Sequence, residues 1–181
     1  MSSRGKQILL ACLVPIGILV GMTITPLYTL WSGEEVTLRT IPVDPTDLFR
    51  GDYVILQYEA EEVPVSIVEK EVRRELEKGH SAIDVYVPLK QEGNFHVPEK
   101  VTLEKPESSL YLKGKLDYIT TSWNGRLEGK EAAYLTYSLD KYFVEDNTGL
   151  ELEEASRNGN ILAKVKVKNG YAYLVDVSIT Q

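Results

Sequence analysis

The stretch AKVKVKNGYAYLVDVSI, residues 163–179, decides the fold class. Lys164, Lys166 and Lys168 alternate with Ala163, Val165 and Val167, the period-two pattern of a strand with one wet and one dry face. Asn169-Gly170 interrupts the pattern, and Tyr171, Tyr173, Val175, Val177 and Ile179 then occupy alternate positions. Asn and Gly both tolerate the positive φ that a two-residue turn demands, so the segment reads as a β-hairpin.

Working outward, the same alternation recurs. Glu35 to Ile41, with Val36 and Leu38 on one side, reads as a first strand. Pro42-Val43-Asp44-Pro45-Thr46-Asp47 reads as a loop, because two prolines and two aspartates stop regular structure. Tyr53 to Ala60 is β-branched and aromatic, as strands are. Ile83 to Leu89 alternates, Leu110 to Tyr118 does so less regularly, and Trp123-Asn124-Gly125 marks a turn. Ala133 to Val144 reads as one long strand with Leu135, Tyr137, Leu139 and Phe143 on one face. Ser66 to Lys78 is the exception. Val65, Val68, Val72 and Leu76 recur at helical steps, Ser66 and Glu69 have capping-box spacing, Glu69 and Arg73 stand four apart, and Gly79 can close the end. The expected architecture is mainly β (α+β): an antiparallel β-sandwich or partly open barrel with one soluble helix.

A different segment precedes this domain. Ile8 to Trp31 carries no charge, and as a helix it would measure about 36 Å against about 30 Å of hydrocarbon. The reading is a basic tail at 1–7, a transmembrane helix at 8–31 and an extracytoplasmic domain at 34–181. Arg4 and Lys6 precede the span, and Glu34 and Glu35 follow it, which puts the N-terminus in the cytoplasm. Tyr28 and Trp31 suit the far headgroup zone. Pro15 is expected to kink the helix and Pro26 to end it. A retained anchor is expected. The apolar run exceeds a signal-peptide core, and no small-x-small site precedes Glu34. Leu9-Leu10-Ala11-Cys12 matches a short lipobox, but more apolar sequence follows Cys12 where a polar tether belongs. Gly17 and Gly21, four apart, form a face on which a second membrane helix could approach.

Charge and composition exclude several functions. All 27 acidic residues follow Gly33, whereas Arg4 and Lys6 precede it, so the domain carries a net charge of −9. Such a surface repels phosphate backbones, and nucleic acid is not an expected partner. No glycine-rich phosphate loop supports nucleotide binding. Cys12 is the only cysteine, so the domain has no disulfide and no thiolate chemistry. His80 and His96 make a poor zinc signature, and Asp146-Asn147-Thr148-Gly149 lacks the alternating oxygen ligands of a calcium loop. The glutamates at 59, 61 and 62 and at 151, 153 and 154 read as solvated edges, although a glycosidase could use paired carboxylates. No cofactor or metal is expected, and no catalytic set is legible.

One motif stands apart. Gly51-Asp52-Tyr53-Val54-Ile55-Leu56-Gln57-Tyr58 reads G-D-Y-x-x-L-x-Y. Gly51 suits a tight turn into a strand, and Asp52 can accept from nearby amides. Leu56 and Tyr58 would share one face with Val54, and Tyr53 and Ile55 the other. With Arg50 beside it, the motif is either a structural corner or a contact site. The chain here resembles the bacterial GDYXXLXY family. Pro45-Thr46-Asp47-Leu48-Phe49-Arg50 resembles that family's lead-in, and Tyr142-Phe143-Val144-Glu145 through Gly149-Leu150-Glu151-Leu152-Glu153 its later segment. Asp146 and Asn147 depart from the family's Glu-Gly step. The resemblance implies an N-terminal membrane helix, a β-rich domain and a multi-spanning membrane partner, but no biochemical activity. The loop and Gly-Asp corner are also similar to the region after the nucleophile in type I signal peptidases, yet Ile41-Pro42-Val43-Asp44 offers no serine. The expected function is therefore an anchored accessory subunit in contact with membrane lipid. The alternative is an extracytoplasmic enzyme or small-ligand-binding module acting on envelope material.

Overall fold

The computed structural model describes residues 3–41, 53–123, 125–139, 141–143 and 161–179. The 42–47 loop, Arg50, Gly51, Asp52, Asn124 and the 144–154 stretch lie outside the described residues. Helix α1 (Ser3–Ser32) runs through Pro15 and Pro26, so Pro26 does not end it. The final turn is held instead by the domain. Thr29 is buried there, the Gly33 amide donates to the Thr29 carbonyl at 2.8 Å, and Lys166 Nζ donates to the Gly33 carbonyl at 3.4 Å.

The domain is built of antiparallel strands. Strand β1 (Glu34–Ile41) follows α1 directly; β2 (Tyr53–Ile55), β3 (Gln57–Tyr58) and β4 (Glu62–Pro64) lead to helix α2 (Lys70–Glu77). Strands β5 (Ile83–Glu92), β6 (Phe95–Pro98), β7 (Tyr111–Thr121) and β8 (Glu131–Thr136) come next, then β9 (Lys141–Phe143) and the hairpin β10 (Ile161–Lys168) and β11 (Tyr171–Ile179). Among the described residues they form sheets in the orders β11-β10-β1-β3, β4-β8-β7-β5-β6 and β2-β9. The two large sheets meet at both sides of the core. On one side the Thr37 amide donates to His96 Nδ1 at 3.2 Å and the Arg39 guanidinium lies 3.9 Å from the Phe95 ring centre. On the other, the Lys113 amide donates to the Gly170 carbonyl at 2.9 Å. The result is a curled half-barrel, the partly open form of the two expected. Val36, Leu38, Val87, Leu116, Ala163, Val165 and Val167 fill its centre, each no more than 1% exposed.

The Asn169-Gly170 turn has φ of 52° and 80° and joins β10 to β11 as expected. The register then places Tyr171 opposite Lys168 and Tyr173 opposite Lys166, on the wet face. Ala172 and Leu174 face inward instead. A bulge at Val175 restores Val177 to the core side.

Three expected elements are shorter than their sequence patterns. The segment 53–60 breaks into β2 and β3 and then a 3₁₀ turn, Glu59–Glu61. The segment 133–144 divides into β8 and β9, although Leu135, Tyr137 and Leu139 are all buried. The helix begins at Lys70, not Ser66. Val65–Ile67 forms a 3₁₀ turn and Val68 bridges to Val101, so Ser66 caps nothing. Glu69 bonds Lys100 at 3.3 Å and does not pair with Arg73. Tertiary pairing with the 101–102 segment wins over the local capping signal. Gly79, at φ 86°, does close the helix.

Candidate functional site

The described part of the G-D-Y-x-x-L-x-Y motif builds the core. Tyr53 pairs through its backbone with Phe143, tying β2 to β9. Leu56 and Tyr58 are buried to 2% and 0% exposure. The Tyr58 hydroxyl donates to the Leu139 carbonyl at 2.7 Å, and its amide donates to Glu61 Oε2 at 3.0 Å. Tyr137 makes the converse stitch, its hydroxyl donating to the Ala60 carbonyl at 3.1 Å. Two phenols thus join the chain just after the motif to the segment after β8. Each satisfies a carbonyl where the strands break and no ladder partner is present. Burial pushes the Tyr137 phenol far above its usual range, so it stays a neutral donor and cannot serve as a base or nucleophile. Gly114 lets that ring approach: a Cβ there would lie 2.8 Å from Tyr137 Cδ1.

The remaining sequence-singled residues scatter. His80 is exposed, its Nδ1 3.0 Å from Glu75 Oε2, while His96 is held by Thr37 between the sheets. Glu61 caps the Tyr58 amide, and Glu62 accepts from the Tyr134 hydroxyl at 3.2 Å. Tyr134 stacks on Tyr118 at 4.8 Å, and burial raises its phenol above the ordinary value. These glutamates are structural acceptors rather than a paired-carboxylate site. Among the described residues, no three of His, Cys, Asp and Glu gather closely enough to hold a metal. Gly17 and Gly21 lie on an uncovered stretch of α1, with no atom within 4 Å of an added Cβ.

Among the described residues, one concavity, about 630 Å³, lies beside α2, and two others bear on the site. One, about 120 Å³, lies beside Ala60 and is lined by Arg39, Arg126, Glu59, Glu92 and His96. Its charges balance, and Lys90, which bonds Glu92 at 2.6 Å, holds that carboxyl below the ordinary carboxylate range. The other, about 420 Å³, opens between the end of α1 and the β10–β11 turn. Its walls include Tyr28 and Thr29 from the helix and Lys113, Lys168 and Tyr171 from the strands. Periodicity did not single out this second cleft. The two-residue turn is the signal that could have done so, since it sets Tyr171 beside Lys168.

No curated protein and no solved structure matches the chain. The family model for the GDYXXLXY protein matches residues 15–177, nearly the whole chain, and the chain belongs to that family.

Proposed function

We propose that the protein is a single-pass membrane subunit. In this reading α1 is its anchor, the β domain lies on the extracytoplasmic side, and the partner is a multi-spanning membrane protein. The observation that carries this reading is the bare surface of α1. From Ala11 to Ser32 the helix is long and apolar enough to cross a membrane, and the domain touches only its end. Leu19 is 64% exposed and Met22 71%. Side chains of this kind need lipid or another helix around them. The charge order, Arg4 and Lys6 before the span and Glu34 and Glu35 after it, supports the orientation. An accessory role rather than catalysis is supported by the filled core behind the motif and by buried tyrosines committed to carbonyls.

The alternative reading, a small-ligand-binding module, draws on the 120 Å³ cleft with Arg39, Arg126 and His96. Affinity purification of tagged full-length protein from native membranes in mild detergent separates the two. One multi-spanning protein at near-equal amount supports the subunit reading; recovery of the protein alone contradicts it. Gly17→Leu with Gly21→Leu fills the open helix face and should reduce partner recovery by about tenfold, the scale of one or two kcal/mol of helix packing. Unchanged recovery removes that face as the contact.

A further inference from the structure

The 420 Å³ cleft at the junction of helix and domain has a depth that the anchor fixes. The last turn of α1 is seated against the domain through buried Thr29 and the Lys166 bond to the Gly33 carbonyl. A hydrocarbon layer takes up about 20 helical residues. Counted from Lys6, that length is used up near Pro26. In the anchored reading, the cleft wall formed by Thr25, Tyr28 and Thr29 then stands near headgroup level, with Ile24 just inside the hydrocarbon.

The facing wall is basic. Lys113 and Lys168 line it, and among the described residues no acid does. This occurs on a domain of net charge −9. Lys164, farther along the same strand, lies 3.8 Å from Asp176. Lys113 and Lys168 have aromatic neighbours instead: Nζ of Lys168 lies 5.9 Å from the Tyr28 ring centre, and Nζ of Lys113 lies 5.9 Å from that of Tyr86. Two ammonium groups without carboxylates, an apolar helix below and tyrosines at the rim match one chemistry. It is a phosphodiester with an acyl chain beneath it.

We propose that this cleft holds the headgroup of an anionic phospholipid, its phosphate between Lys113 and Lys168 and its upper acyl chain against Ile24 and Tyr28. The proposal rests on the anchored reading above.

Native mass spectrometry of the full-length protein tests this, with equal amounts of phosphatidylglycerol and phosphatidylcholine in mild detergent. Phosphatidylglycerol adducts should dominate. Lys113→Gln and Lys168→Gln should each reduce that preference about fivefold, the worth of one lysine at an anionic surface. Lys113→Arg with Lys168→Arg should keep it, and Lys105→Gln, in an exposed loop, should not alter it. Near-UV circular dichroism checks that each variant is folded. Equal adducts of the two lipids on the unaltered protein, or a preference that survives the double glutamine change, overturns the proposal. Alkaline carbonate extraction of membranes separates the failures. A protein released into the aqueous fraction refutes the anchor itself. A protein that stays in the membrane without lipid preference refutes the cleft alone.

Discussion

Tyr58 and Tyr137 each direct a hydroxyl through the core to a main-chain carbonyl, at Leu139 and Ala60 respectively. Replacing either by Phe leaves a buried carbonyl without its donor, which costs about 1–3 kcal/mol. Tyr58→Phe should lower the thermal midpoint of the full-length protein in detergent, followed by far-UV circular dichroism. Tyr173→Phe, on the wet face, should leave it unchanged. A residue-scale pH effect comes from Glu69. A hydrogen bond with Thr102, then Lys100 at 3.3 Å, holds its carboxyl below its ordinary value of 4.5. A lowered folded-state value means that the charged form stabilises the fold. That contribution is complete at neutral pH, above the unfolded-state value, and is lost as pH falls through the folded-state value. Glu69→Gln should therefore narrow the difference between urea midpoints measured at pH 7 and at pH 3. An undiminished difference would show that other carboxylates carry the acid sensitivity.

At the scale of elements, the β10–β11 hairpin shows what was legible and what was not. Its strands and turn follow from alternation and Asn-Gly chemistry, and so does its register next to the turn. Hydrophobicity points the wrong way for Tyr171 and Tyr173. Their apolar rings suggest the core, while pairing with Lys168 and Lys166 puts them outside. Val175 is a bulge, a local insertion that period-two counting cannot detect. The 53–60 and 133–144 segments misled in another way. Each has strand composition throughout, but each changes partner part-way and must break to do so. The start of α2 shows tertiary pairing overriding a cap, as Val68 joins Val101. For the site, Leu56 and Tyr58 of the motif are core residues, whereas Arg50, Gly51 and Asp52 lie outside the described residues. Gly170 carries the hairpin's prediction. At φ 80° a Cβ costs about 1–2 kcal/mol and would also lie 2.5 Å from Tyr111 Cε2. Gly170→Ala should destabilise the domain by more than that backbone cost alone, measured by urea unfolding. A change under about 0.5 kcal/mol would mean the turn is not a fixed point of the fold.

At the scale of the whole molecule, an uncovered apolar helix and an acidic half-barrel are joined through the helix's final turn. In the proposed reading the exposed apolar surface and the net charge of −9 belong to different solvents, and Gly33 is where the two parts of the chain meet. In the proposed orientation this boundary is the membrane surface. Lys113 and Lys168 then face it. The most direct test uses the fact that Cys12 is the only cysteine. With Cys12→Ser and Lys105→Cys, one thiol remains, on an exposed loop of the domain. It is treated with a membrane-impermeant maleimide in intact cells whose outer barrier has been made permeable, and then after lysis. Full labelling before lysis is expected, with the labelled protein retained in the membrane fraction. Labelling only after lysis, or labelled protein free in the soluble fraction, would contradict it.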